Sequence, residues 1–133
     1  MDPHLHDAHH SPETAAHTKG HGFVDRLRFA VNGFYAALRR EKSLRIQCAA
    51  MVAVAIVLTV TRAAPLWWAL AALASGLVIA AELANTALEI LADRVHPTLN
   101  PQIRAAKDVS AAAVLAAAIA ALVVAGAFVV AMR

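Results

Sequence analysis

Eight polar or charged residues beyond the surface-facing N-terminal region stand out as a set that could do charge chemistry, and they fall in three ordered groups. They are Glu41, then Glu82, Asn85, Glu89 and Asp93, then Lys107 and Asp108, with Thr86 inside the middle group. In the middle group the spacings are three, four, seven and eleven. On a helix of about 3.6 residues per turn, these place Glu82, Asn85, Thr86, Glu89 and Asp93 within an arc of about 100°. One helix face is therefore predicted to be polar. Carboxylates gathered this way raise one another's pKa unless a cation compensates. Mg²⁺ would do so: it takes oxygen ligands, typically one or two carboxylates, and completes its shell with water and substrate phosphates.

The setting of these acids is unusual. LWWALAALASGLVIA (66–80) reads as lipid-buried helix and runs without a break into AELANTALEILADRV (81–95). A carboxylate near hydrocarbon costs about 2.5 kcal/mol or more, so such residues face a protein interior or a wet cavity. The chain as a whole has 133 residues, 60% of them hydrophobic and 16% charged. That is one domain at most, and too apolar for an ordinary soluble domain. The net charge of +3 comes from basic residues beside apolar runs and not from a separate patch, which points away from nucleic acid. A lone Cys48 forms no intramolecular disulfide and reads as packing.

Residues 1–22 are polar, carry six of the seven histidines and lack apolar periodicity, which predicts a disordered, His-rich tail without a spaced metal-ligand set. From 23 to 42, Phe23, Leu27, Val31, Phe34 and Leu38 recur at steps of three and four. Arg26, Arg28, Arg39, Arg40 and Lys42 accompany them. This predicts an amphipathic helix lying in the headgroup layer.

Three spans follow, at about 44–62, 65–95 and 106–132. TRAAP (61–65) makes a tight turn, and Trp67 and Trp68 stand where an interfacial aromatic belt would be. The expected fold is all-α: an integral membrane domain over 23–133 with an N-terminal surface helix and three transmembrane helices. Lys and Arg gather before the first span and between the second and third, so those sides are expected to be cytoplasmic in a multi-pass bacterial inner membrane protein. All the acids beyond the surface helix then fall at one membrane level. They suit either a catalytic site, an ion or proton pathway, or structural pairs such as Glu89 with Arg94 and Asp93 with Lys107.

Three blocks carry a resemblance: NGFYAALRREKSLRI (32–46), AELANTALEILADRV (81–95) and RAAKDVSAAAVL (104–115). Together they resemble the prokaryotic diacylglycerol kinase family of small trimeric membrane enzymes, which includes the undecaprenol kinases. The middle block is similar to the family signature of Glu, two residues, Asn, Ser or Thr, two residues, Glu, three residues, Asp-Arg.

The resemblance implies an ATP-dependent lipid kinase that phosphorylates the hydroxyl of a membrane lipid alcohol, diacylglycerol or undecaprenol. It implies Glu82 as general base, Glu41 and Glu89 as ligands of the Mg²⁺ of the nucleotide, and Asn85, Asp93, Lys107 and Asp108 as lining of the nucleotide pocket. Gly33 and Tyr35 fall in the surface-helix region that contributes to nucleotide binding. A homotrimer with sites shared between subunits is implied as well. Gln47 stands where diacylglycerol-specific members have an acid and Gram-positive undecaprenol-type members often have His.

Overall fold

The computed structural model describes residues 22–95 and 100–133; the His-rich tail, apart from Gly22, and residues 96–99 of the connection before the last helix lie outside the described residues. The described chain consists of four helices: α1 (Phe23–Arg40), α2 (Lys42–Val60), α3 (Pro65–Val95) and α4 (Pro101–Ala131). α2, α3 and α4 are each long and apolar enough to cross a membrane. The all-α expectation of one surface helix and three spans holds.

α2 runs over Lys42–Val60 rather than about 44–62, and two further boundaries differ from the sequence expectation for local reasons. α1 ends at Arg40 rather than running to residue 42, because Glu41 is extended (φ −100°, ψ 119°). Its backbone N–H still donates to the Ala37 carbonyl at 2.8 Å. RREKS contains no Gly or Pro, so nothing local announces this corner. α4 begins at Pro101, earlier than 106. The Asn100 side chain accepts from the Gln102 backbone N–H at 2.9 Å, and Pro101 occupies the first turn. An Asn cap followed by Pro is a strong helix start, and it outweighs the polar character of QIRAAK.

The α2–α3 turn closes by backbone pairing. Arg62 N–H donates to Thr59 O at 3.1 Å and Ala63 N–H to Leu58 O at 3.0 Å. These are the two bonds of a Schellman motif, which puts its C′ residue in the left-handed region. Arg62 takes that place at φ 50°. Glycine is commoner there, since an L side chain costs roughly 1–2 kcal/mol in that region.

α3 is the central element. α4 packs antiparallel along most of its length, α2 packs on it over a shorter stretch, and α2 and α4 do not pack on one another. On α4 the covered positions, apart from Ala118, are Ile103, Lys107, Ser110, Val114, Ala117, Ala121, Val124 and Phe128, which alternate steps of four and three. That is the spacing of a left-handed seam, and its small residues let the helix backbones approach closely. Trp67 and Phe128 meet edge to face at 5.1 Å and tie the far ends of α3 and α4 together. Trp67 is thus a packing residue of the α3–α4 seam, while Trp68 stays more exposed.

The buried apolar core is small: Ala37, Leu44, Leu58, Val78 and Ala117. Large apolar side chains such as Ile56, Leu73, Leu115, Leu122 and Val130 face outward instead. In water such a surface would be a liability, whereas hydrocarbon covers it at no cost. On α1 the stripe anticipated from sequence is covered only toward its C-terminal end, where Phe34 and Leu38 flank the buried Ala37. Phe23, Leu27 and Val31 are more than half exposed, as an amphipathic helix at a bilayer surface requires.

Candidate active site

The polar face of α3 survives in three dimensions, and packing sorts its members. Glu82 is 6% and Thr86 2% exposed, Asn85 and Glu89 are half-buried, and Asp93 is open. The helix thus carries its acids from a dry interior to an open end over about 16 Å of rise.

Each carboxylate of this face has a donor. Gln47, from α2, donates its Nε2 to Glu82 Oε1 at 2.9 Å. Asn85 Nδ2 donates to Glu89 Oε1 at 2.9 Å. Lys107 Nζ, from α4, donates to Asp93 Oδ1. Arg40 spans two elements, with Nε 3.3 Å from Glu41 Oε1 and Nη2 3.8 Å from Asp93 Oδ2. Through it the α1–α2 corner is held at the open end of α3, so Glu41 joins the acid end of the bundle. Of the two ion pairs considered from sequence, Asp93 with Lys107 forms, whereas Glu89 is held by Asn85 and not by Arg94.

The structure therefore gathers Glu41, Glu82, Asn85, Glu89, Asp93 and Lys107 at one end of three helices. It leaves three expected residues apart. Asp108 is exposed, one position and about 100° around α4 from Lys107, so it turns away from α3. Gly33 is exposed, and a Cβ there would meet nothing within 4 Å. Tyr35 is exposed and carries the Arg39 guanidinium 4.5 Å above its ring. Two residues outside the expected set complete the network: Gln47 on Glu82, and Ser110, whose Oγ donates to Asn85 Oδ1. Ser110 had a detectable signal. It lies three residues after Lys107, one helical turn along the same face.

Two buried polar atoms have no hydrogen-bond partner among the described residues, Gln47 Oε1 and Thr86 Oγ1. They flank Glu82, one from α2 and one from the next turn of α3. An unpaired buried hydroxyl costs about 1–3 kcal/mol, so its removal by an isosteric side chain is not expected to harm the fold. Thr86→Val should leave thermal stability in detergent unchanged or raise it by up to roughly 1–2 kcal/mol. A clear loss of stability would show that this hydroxyl finds a partner in the assembled protein.

The donor set suits a hard cation arriving with phosphate rather than one caged by protein. Among the described residues no group of three or more His, Cys, Asp or Glu side chains gathers to hold a metal. Glu41 and Glu89 are oxygen donors on the half-buried part of the site, and Asn85 engages one Glu89 oxygen while leaving the other uncommitted. Mg²⁺ typically takes one or two carboxylates and fills the rest of its shell with water and phosphate. In kind, these carboxylate oxygens are the donors such an ion takes, with Glu41 Oε1 also paired to Arg40.

A cavity of about 310 Å³ lies at the opposite end of the bundle, lined by Leu58, Trp67, Ala71, Ala121, Val124 and Phe128 among others. It is apolar and contains none of the acids. Along α3 its lining ends at Ser75, seven residues or about 10 Å of helical rise short of Glu82.

Three helices long and apolar enough to cross a membrane carry a buried carboxylate, and an amide, a hydroxyl and ion pairs follow it toward one open end; this is the pattern of a membrane protein with one polar end. The sequence profile of the prokaryotic diacylglycerol kinase family matches residues 28–129. The chain belongs to that family, and at the level of the family it is a membrane lipid kinase. The match takes in all four helices except the first turn of α1 and the end of α4. No curated protein matches the chain closely enough to count as a relative.

Proposed function

We propose that this protein transfers the γ-phosphate of ATP to the hydroxyl of a membrane lipid alcohol, diacylglycerol or undecaprenol. The observation that carries the reading is the graded polar face of α3. Its buried end holds Glu82, and its open end holds Asp93 with Lys107 and Arg40. A lipid hydroxyl arrives from the bilayer side and a nucleotide from the aqueous side. This face joins the two environments.

In this reading Glu82 receives the proton of the lipid hydroxyl as that oxygen attacks the γ-phosphorus and the bond to the β-phosphate oxygen breaks, releasing ADP, and Gln47 holds the carboxylate in place from α2. Glu41 and Glu89 would hold the Mg²⁺ of the nucleotide, with Asn85 fixing the orientation of Glu89. Such an ion would supply charge neutralisation on the transferring phosphoryl oxygens. Lys107 and Arg40 supply further positive charge at the open end, where the polyphosphate enters. Phosphoryl transfer asks chiefly for alignment and charge stabilisation, and these are the parts the site offers.

The functional unit in this reading is a homotrimer in the bacterial inner membrane, with the N-terminus and the acid end facing the cytoplasm. Asp108, Gly33 and Tyr35 are exposed and outside the network on α3, so in this reading a neighbouring subunit brings them to the nucleotide pocket. The outward apolar faces of α2, α3 and α4 offer the surface for such an assembly. An ion or proton pathway would instead need acids lining a wet passage. Glu82, Glu89 and Asp93 are each occupied by an amide or ammonium donor from the protein itself.

The discriminating experiment supplies purified protein with Mg-ATP carrying a labelled γ-phosphate, and with either diacylglycerol or undecaprenol in mixed micelles. Label is expected in the lipid fraction with at least one of them. No labelled product from either lipid at saturating concentration would overturn the kinase reading for this chain.

A further inference from the structure

The candidate metal ligand Glu89 does not stand alone; a relay from another helix sets its orientation. Its carboxylate accepts from Asn85 Nδ2 at 2.9 Å, and Asn85 Oδ1 in turn accepts from Ser110 Oγ of α4 at 2.5 Å. A carboxylate only accepts hydrogen bonds, so Asn85 must turn its amide nitrogen toward Glu89. Its amide oxygen is then left facing α4 and needs a donor. Ser110 is that donor, and it is 9% exposed in the α3–α4 seam, where water does not readily substitute.

The Ser110 hydroxyl has a second acceptor within reach, the Lys107 carbonyl of its own helix at 2.9 Å. It carries one hydrogen, and the shorter contact to Asn85 is the interhelical one. Without this hydroxyl, Asn85 would either leave its oxygen unpaired in the seam or flip it against the Glu89 carboxylate. Both alternatives are unfavourable: the first leaves the Asn85 amide without its anchor on α4, and the second breaks its donation to Glu89, so Glu89 loses its single fixed orientation.

We propose that Ser110 is a positioning residue for the metal–nucleotide site: acting only through Asn85, it fixes the Glu89 carboxylate in the orientation that receives a divalent cation bound to polyphosphate. This rests on the kinase reading given above. It also gives α4 a defined part in the site. Lys107 and Ser110, one turn apart, each donate to the polar face of α3 and hold it in register.

The test uses the full-length protein in detergent micelles, with Mn²⁺ as the spectroscopic metal and a non-hydrolysable ATP analogue, binding being read from the paramagnetic resonance signal of free Mn²⁺. Ser110→Ala is expected to weaken Mn²⁺–nucleotide binding about 10-fold, in the range typical of residues that orient metal ligands. The KM for lipid alcohol should stay within about twofold, because Glu82 and Gln47 are untouched. Asn85→Ala should weaken metal–nucleotide binding at least as much, and adding Ser110→Ala to it should cost nothing further, since residues acting through one another are not additive.

Wild-type binding by Ser110→Ala, or a full additional loss when it is combined with Asn85→Ala, would overturn the proposal while leaving the kinase reading intact. Failure of the wild-type protein both to bind the metal–nucleotide pair and to label a lipid would overturn both.

Discussion

Glu82→Gln is expected to lower lipid phosphorylation by roughly 10²–10⁴-fold, the range for loss of a general base, while Mg-ATP binding stays close to that of the unmodified protein. The asymmetry follows from position. Glu82 lies at the buried end of the α3 face, two helical turns from Glu89 and three from Asp93, and its partner is Gln47 rather than any cation. An amide preserves the size of the side chain and can still pair with the Gln47 amide, so the local packing is kept. It cannot take a proton from an alcohol, so chemistry is lost without displacement of the nucleotide. The measurement is kcat with saturating lipid, together with direct nucleotide binding to the same preparation. A variant that turned over at near-normal rate would remove Glu82 from the catalytic role, and the function of the buried carboxylate would have to be structural.

The second large effect belongs to Glu89, and its sign is different. Glu89→Gln is expected to raise the Mg²⁺ concentration needed for half-maximal activity by about 10–100-fold or more, with part of kcat recovered at high Mg²⁺. Neutralising one of the two carboxylates proposed as ligands would weaken the attraction for a divalent ion without removing Glu41 or the phosphates. The new amide also changes the hydrogen-bond logic of the site. Glu89 now accepts from Asn85 Nδ2, and an amide in its place has a donor as well as an acceptor, so the chain running back to Ser110 loses its single sense. A Mg²⁺ dependence indistinguishable from that of the unmodified protein would sink the metal assignment. Taken together, the two variants separate roles: one reads as lost chemistry, the other as lost metal affinity.

The pairings found at the site bear on how mutational data should be read. Asp93 is shared between Lys107 and Arg40, and it is half-exposed, so its ion pairs are screened and contribute little to stability alone. Their value is geometric. They hold the α1–α2 corner and α4 against the same turn of α3, which places Glu41 at the site. Substitution of Asp93 would therefore act on two neighbouring elements at once, and its effect is not a measure of a nucleotide contact.

Much of this was legible from the order of residues, because helical periodicity is a local property. The spacings from Glu82 to Asp93 fix a shared face for any continuous helix, and the absence of Gly and Pro between 77 and 95 makes the helix continuous. The length and apolarity of α2, α3 and α4 likewise follow from composition, since a bilayer sets a length that only such runs satisfy. The pairing of Lys107 with Asp93 was one of the alternatives the residues themselves allowed.

What sequence left open was decided by how the helices meet. Glu41 became a corner because α1 and α2 change direction there, although RREKS would support a continuous helix as well. Asp108 and Lys107 are adjacent in sequence, yet α4 turns one toward α3 and the other away, since the phase of a helix is fixed by its packing seam and not by its own residues. Gln47 and Ser110 each read as isolated polar residues in apolar runs. Only the antiparallel docking of α2 and α4 on α3 brings the first to Glu82 and the second to Asn85. The sequence by itself determined the spans, the polar face and the family blocks, through periodicity and transfer energetics that act over a few turns of chain. The tertiary structure decided which side chains orient the acids, because hydrogen bonds between helices depend on register across contacts 25 and 35 residues apart.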